Sequence, residues 1–350
     1  MKFKKNRKLK VFHGLVNYGT QAGLFARELR NQGFEAISVT YPDAFKRMTD
    51  VELKHGGNLL QKVIKHTWNY LFRIKCMFKY DIFHFYYGTT LLPYQLDLPI
   101  LNFYGKKIVM EYLGWDLQLY EYSVKKYKYT NAKYYKNETE AIKGDKLKIR
   151  RLNFESKFTD KQLVCAPYLS EFLPTSKVLP LGIDLEKFKF QPLKLESGYL
   201  VIIHAPTSTG NKGTPFIESA IEKLINEGEK ITYKRVQNIS HDKLHMEYEK
   251  CHLFIDQIIS GWYGTASIEA MAIGRPTICF LREEYFQYID YGHKIPIINA
   301  NPDTIYETLK MILRNKEHLI ELGAKSRKFV EEVHDVKKIT SKLIKEYSSL

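Results

Sequence analysis

The chain has 350 residues, more than a single hydrophobic core usually supports, so two domains of roughly 150–180 residues each are expected. Its 44% hydrophobic and 14% aromatic content excludes a disordered chain. The formal charge of +15 is uneven: residues 1–150 carry 27 Lys and Arg against 13 Asp and Glu, whereas residues 151–350 carry 27 against 26, so any anion-attracting face belongs to the first part.

The basic N-terminus runs only into the short apolar pair Val11-Phe12 and then His13-Gly14, which is no signal-peptide core. Leu9–His13 reads as a strand, Gly14–Gly19 as a glycine-bearing loop, and Thr20 onward as a helix with Ala22, Leu24, Phe25 and Leu29 on one face, ended by Gly33. With a strand at Phe34–Tyr41 this is the opening β-loop-α-β unit of a Rossmann-like domain. Leu59–Tyr80 is an amphipathic helix with Leu60, Val63, Ile64, Trp68, Leu71 and Phe72 on one side, and Lys62, Lys65, Arg73, Lys75 and Lys79 around it. It either packs on the sheet with solvated lysines or lies on an anionic membrane. Further strands are expected at Ile82–Tyr86, Lys107–Tyr112 and Leu163–Ala166; the Lys- and Tyr-rich stretch 121–158 is helix and loop without a clear period.

Pro and Gly punctuate Leu179–Phe188, and a second alternation begins at Tyr199–His204. Helices are expected at Phe216–Asn226, Asp242–Glu249 and Ala266–Ile273, strands at Ile231–Val236, His252–Ile255 and Pro276–Phe280, and helix over 303–349. The fold class is therefore α/β, two doubly wound halves: residues 1–178, residues 179–330, and a terminal helix 331–350 returning towards the first half. No run approaches the 18 or so apolar residues of a membrane span. Cys76, Cys165, Cys251 and Cys279 have no C-x-x-C spacing, so neither a zinc site nor a redox pair is indicated, and the protein is expected in the cytoplasm or on the inner face of its membrane.

Gly261-Trp-Tyr-Gly-Thr-Ala-Ser-Ile-Glu-Ala-Met-Ala-Ile-Gly-Arg-Pro276 carries the most chemistry. Gly264, Thr265, Ala266 and Ser267 lead straight into a helix, so free N–H groups and the helix dipole converge on one point, a seat for an anion. Glu269 in the first turns could reach past a diphosphate to a ribose; alternatively this is a tight turn with a solvated Glu.

The segment resembles the E-x7-E region of retaining GT-B glycosyltransferases of family 4. His204-Ala-Pro-Thr-Ser-Thr-Gly-Asn-Lys-Gly213 is similar to that family's strand end and donor loop, Leu181–Phe188 to its interdomain segment, and Tyr80–His84 and Gln21–Arg30 to elements of its N-terminal domain. The resemblance implies two Rossmann-like domains facing each other across a cleft, and transfer of a sugar from a nucleotide-sugar donor to a glycan or lipid-linked acceptor. Lys212 and Gly213 would meet the diphosphate, the loop 264–267 would hold it, Glu269 would hold the ribose, and His204 would line the pocket. Where the pattern has its first Glu stands Gly261, and the Arg that accompanies the donor Lys is absent from 204–211, leaving Arg275 or Arg235 as substitutes. Glu111 and Asp116 occupy the place of a His-Gly-x-Asp stretch, which makes them candidates for touching sugar or acceptor; otherwise they are a buried, paired Glu and a capping Asp.

In the first half, Gly14, Asn17 and Gly19 form a loop that can admit a phosphate or a hydroxyl, or a plain strand-to-helix turn. His84 and His13 lie in apolar strands, where a lone His is either a satisfied core residue or a catalytic one. No Asp-x-Asp triplet occurs, so no metal and no cofactor are expected, and Lys212 with backbone dipoles must neutralise the leaving nucleoside diphosphate. A sugar-nucleotide epimerase or phosphorylase of the same fold, and a non-catalytic binding subunit, are the alternatives. Nucleic acid is not the expected partner, because none of its recognition motifs occurs.

Overall fold

The computed structural model describes residues 9–43, 47–195, 198–239 and 241–350, so the basic leader Met1–Lys8 and the signal-peptide question lie outside the described residues. The chain forms two compact units, neither of them one continuous stretch. The first contains Met1–Gln118, Lys146–Gly182 and Val336–Leu350; the second contains Leu119–Asp145 and Ile183–Asp335. Residues 119–145, expected within the first half, therefore belong to the second unit. Tyr129 packs against its core, and Lys128 and Tyr129 both bond Asp303, at 2.6 and 2.7 Å.

In the first unit seven parallel strands run β3-β2-β1-β4-β5-β6-β7 across the sheet: β1 Lys10–Leu15, β2 Glu35–Thr40, β3 Val51–Glu52, β4 Ile82–Tyr86, β5 Lys107–Tyr112, β6 Lys161–Val164 and β7 Lys177–Val178. Every residue of β4 is buried, as a central parallel strand covered on both faces requires. The helix Gln21–Asn31 puts Leu24, Phe25 and Leu29 on Val11, Ile82 and Val109, and the last helix, Val336–Ser348, adds Ile339, Leu343 and Tyr347 to the same core. β3 and β7 have two residues each, too few to show a period.

The second sheet holds β8 Leu200–His204, β9 Ile231–Arg235, β10 Leu253–Ile255, β11 Thr277–Cys279 and β12 Ile297–Asn299, in the order β12-β11-β10-β8-β9, all parallel. The helix Thr214–Asn226 buries Ile217, Ile221 and Leu224 against Leu200, Ile202 and Leu253. The helical tract after 303 resolves into Ile305–Arg314, His318–Val333 and the terminal helix. Strand order reverses between β1 and β4 in the first sheet and between β8 and β10 in the second. Open α/β sheets bind ligands beyond the carboxyl ends of the strands at such switch points. No helix among the described residues is long and apolar enough to cross a membrane, and all four cysteines are buried free thiols.

Candidate functional site

At the switch point of the second sheet, three connections meet. After β8 the chain turns through the short helix Thr209–Lys212 into Gly213, whose φ of +80° and a would-be Cβ only 2.6 Å from Ile258 leave room for glycine alone. Ile258 N–H donates to the Lys212 carbonyl at 3.2 Å, tying this turn to the connection after β10. The first residue beyond β10 is Asp256. Its side chain is buried and accepts from Lys212 Nζ at 2.5 Å, from Ser267 Oγ at 2.6 Å and from Gly264 N–H at 3.3 Å. Burial pushes this carboxyl up, but the Lys212 ammonium and the hydrogen bonds prevail and hold it below the ordinary value.

Lys212, Gly213, Gly264 and Ser267 come together around Asp256, a residue that the sequence reading omits. The sequence marks Asp256 only as a carboxylate directly after the buried strand Leu253–Ile255, and that position does not identify its partner. Lys212 does not face an empty anion seat; it is ion-paired, with one of its three donors committed to Asp256 and two left to a ligand. The helix Thr265–Ile273 starts at Gly264 with no side-chain cap, and Thr265 and Ala266 at its start are only half-buried. Glu269 is buried, and the Tyr248 hydroxyl lies 3.5 Å from its Oε2.

His204 is buried with both ring nitrogens engaged. Nδ1 is 2.8 Å from the Ile255 carbonyl, which can only accept, so Nδ1 carries the proton and Nε2 accepts from the Thr214 hydroxyl at 2.8 Å. Burial lowers its pKa to about 4, consistent with this neutral tautomer. It braces β8 against β10 and has no free nitrogen to offer. Arg275 is not a substitute cation: its guanidinium is spent on the carbonyls of Tyr248, Gln191 and Glu249 at 3.0, 2.8 and 2.9 Å. Arg235 is bonded to Glu218 at 3.2 Å.

The structure explains Gly261. Its φ is +83°, and a Cβ there would sit 2.1 Å from Nη1 of Arg282, so an arginine fills the space a side chain at 261 would take. Arg282 is 8% exposed and donates to the Ser260 carbonyl at 2.9 Å, to the Tyr285 hydroxyl at 3.2 Å and to the Tyr129 carbonyl, with the Tyr127 ring 3.9 Å away. No carboxylate lies within 4.0 Å of it among the described residues. Arg282 lies in the connection after β11, and sequence reasoning missed it because the residue that makes its position meaningful is a glycine twenty-one places earlier.

The candidates of the first unit separate into two groups. Gly14 is a strand residue, since β1 runs on to Leu15, and its would-be Cβ lies 2.2 Å from the Val39 carbonyl, so the glycine permits close approach of β2. Asn17 and Gly19 follow in the connection, where Gly19 has φ +52°. Asn17 is 5% exposed; its amide donates to the Met48 carbonyl at 2.8 Å, while its Oδ1 has no partner among the described residues. That unfilled acceptor beyond β1, at the switch point of this sheet, is the position a ligand hydroxyl can satisfy.

His84 and Glu111, by contrast, are sealed in the core at 0% and 1% exposure. Parallel pairing places His13 opposite His84, their rings stacked at 4.9 Å. His84 Nε2 is 3.0 Å from Glu111 and its Nδ1 is 2.7 Å from the Tyr347 hydroxyl; that hydroxyl is 3.3 Å from His13 Nε2, and His13 Nδ1 is 2.6 Å from Tyr86. Burial lowers His84 to about 3 and raises Glu111 to about 8, and burial together with the neighbouring His84 lowers His13. All members are therefore neutral near pH 7, and one proton order suits them: Glu111 to His84, His84 to Tyr347, Tyr347 to His13, His13 to Tyr86. The chain locks the last helix to β1, β4 and β5 and presents no atom to solvent. Asp116 closes the turn after β5: it accepts from the N–H groups of Leu113 at 3.0 Å and Gly114 at 2.7 Å, and burial raises its pKa to about 6.

No protein-family model matches the chain, and no curated protein matches its sequence. Solved structures do. Sucrose-phosphate synthase from Thermosynechococcus elongatus superposes with a TM-score of 0.63 at 14% identity, covering 98% of this chain and 99% of that one. A Listeria monocytogenes protein assigned as a UDP-N-acetylglucosamine 2-epimerase gives 0.55 at 13% identity over 97% and 95%. S. aureus MnaA in complex with UDP gives 0.53 at 13% identity over 99% and 98%. These likenesses run the full length of both chains and establish the fold: α/β, two Rossmann-like domains of the GT-B class.

Proposed function

We propose that the chain is a retaining, family 4-type glycosyltransferase that moves a sugar from a nucleotide-sugar donor to a glycan or lipid-linked acceptor of the cell surface. The observation that carries this reading is the cluster of Lys212, Asp256, Ser267 and Gly264 beneath an uncapped helix start at the switch point of the second sheet. A departing nucleoside diphosphate gathers negative charge, and preorganised donors at its resting place lower the barrier. The two remaining donors of Lys212 and the N–H groups of the first helical turn supply them without a metal. Glu269, steadied by Tyr248, takes the ribose hydroxyls. Similarity to a UDP complex makes UDP the first nucleotide to try.

Release of nucleoside diphosphate from a panel of nucleotide-sugars tests the reading, with membrane extract as the acceptor source. Turnover should survive a chelator, and Glu269→Ala should weaken UDP binding by about 1.5–3 kcal/mol, as for a hydrogen bond to a charged group. Turnover abolished by chelator and restored by Mn²⁺ would overturn the leaving-group chemistry. The likeness to an assigned 2-epimerase keeps a second reading in view, sugar-nucleotide epimerisation. An altered sugar on the intact nucleotide, formed with no acceptor present, would select it.

A further inference from the structure

In a helix on a globular body the apolar stripe normally turns inward. The helix Leu59–Lys79 is mounted the other way. The side chains it buries are Asn69, Arg73, Cys76 and Met77, with Asn69 bonded to the backbone of Lys54 and Arg73 to the Tyr41 hydroxyl. Its regular apolar stripe faces outward: Leu60 is 70% exposed, Ile64 59%, Leu71 63% and Phe78 56%, at the i, i+4, i+7 spacing of one helical face. Trp68 and Phe72, expected on that stripe, are half-buried on its flank, stacked on each other at 5.1 Å with Lys54 over the Trp68 ring. The stripe does not end with the helix. Phe78 meets Tyr104 at 5.5 Å, and Tyr104 meets Phe103, itself 85% exposed, at 5.5 Å. The result is one continuous apolar band with aromatic rings at one end.

We propose that this band is the docking surface for an anionic lipid bilayer, with the helix lying in the plane of the membrane interface. Charge selects the occupant. Between Leu59 and Lys79 there are five Lys and Arg and no Asp or Glu. Arg73 is turned inward, Lys79 is held by Glu35 at 3.5 Å and Lys65 by the carbonyls of His55 and Gly56, but Lys62 and Lys75 have no carboxylate partner among the described residues. A second copy of the chain is the poorer fit, because a two-fold contact through this helix sets lysine against lysine with no carboxylate on the helix to relieve it. Lys75, on the flank of the stripe, meets anionic headgroups while the stripe enters the acyl boundary, whereas Lys62 shares the opposite side with Asn69; Phe and Tyr rings suit the interfacial depth. The surface is independent of the donor reading: vesicle binding without transfer, or transfer without vesicle binding, tells the two apart.

The test is co-sedimentation of the full chain with phosphatidylcholine vesicles, with and without added phosphatidylglycerol, at low and high salt. The wild type should pellet with the anionic vesicles at low salt and be released as salt rises. Lys75→Ala should lower the partition coefficient about 5-fold, from roughly 1 kcal/mol per cation near an anionic leaflet, and Lys62→Ala should lower it less. Ile64→Gln/Leu71→Gln, at exposed positions, should leave the thermal transition unchanged and abolish pelleting. A wild type that stays in the supernatant, or Gln variants that pellet as it does, would overturn the proposal. So would light scattering that shows a dimer broken by the Gln pair.

Discussion

Lys212→Ala separates the energetic role of the Lys212–Asp256 pair from its place in the motif. Asp256 is 1% exposed, and without the ammonium 2.5 Å away its carboxylate keeps only the Ser267 hydroxyl and the Gly264 N–H. Removing one partner of a buried ion pair costs about 3–5 kcal/mol, because the other charge stays buried without compensation. For a unit of this size that is a fall in Tm of roughly 6–20 °C. Lys212→Ala/Asp256→Ala removes both charges and should recover a large part of the loss, although it deletes more atoms. The pH dependence has a definite sign. In the wild type the folded carboxyl lies below its ordinary value, burial being outweighed by Lys212. Its stabilisation is complete above the unfolded value of about 4 and is lost as pH falls through the lower folded one. In Lys212→Ala burial acts without its main opponent and the folded value rises, so the deficit should be largest near pH 7 and shrink towards about pH 5. Scanning calorimetry of wild type, both single variants and the double variant at the two pH values reads all of this. Equal Tm losses in the single and double variants at both pH values would refute the coupling.

Two further outcomes follow from the same geometry. Gly261→Glu, which places at 261 the residue of the E-x7-E pattern that the segment resembles, should cost about 1–2 kcal/mol for the strain of a side chain at φ +83°, plus the displacement of Arg282, read as a lower Tm; an unchanged Tm would show that Arg282 does not fill the space beside 261. Glu111→Gln should match the wild type near pH 5 and be more stable at about pH 8, since the folded Glu111 keeps its proton to about 8 while the unfolded one loses it near 4.5, which costs the wild type up to about 1.4 kcal/mol per pH unit as pH rises through that window; a Gln variant less stable than wild type at the higher pH would show that Glu111 is ionised in the fold.

Legibility in the sequence followed the length over which a physical signal repeats. Ile82–Tyr86 and Lys107–Tyr112 were readable to the residue because buried parallel strands are short apolar runs with clear ends. Val51–Glu52 and Lys177–Val178 pair at sheet edges through backbone groups alone and leave no pattern. In the site, Gly264 to Ser267 could be placed because a glycine before a run of small residues opens a helix from local chemistry. Asp256 and Arg282 could not be placed in the same way. Their meaning lies in what stands opposite them across the sheet, and a contact between residues 44 positions apart, such as Lys212 with Asp256, has no local signature.

Burial shows the same limit in another form. His84 and Glu111 have the residue types of an acid-base pair, but a periodic pattern cannot say how deep a strand position lies. The chemistry of the pair reverses with depth: near solvent it would ionise, whereas at 0% and 1% exposure it is a neutral link to Tyr347. Amphipathicity has the corresponding ambiguity in direction. The spacing of Leu60, Ile64, Leu71 and Phe78 defines a face of the helix but not which way that face looks, and the default is inward. Asn69 and Arg73 decide otherwise, because their polar groups find partners only on the body side, at the Lys54 backbone and the Tyr41 hydroxyl. Rolling the helix to hide the stripe would strip those bonds, leave the Lys54 backbone groups without their Asn69 partner and lift Cys76 and Met77 out of the core. The outward stripe is therefore the orientation that the polar face enforces, and the exposed apolar area is what a lipid interface can recover.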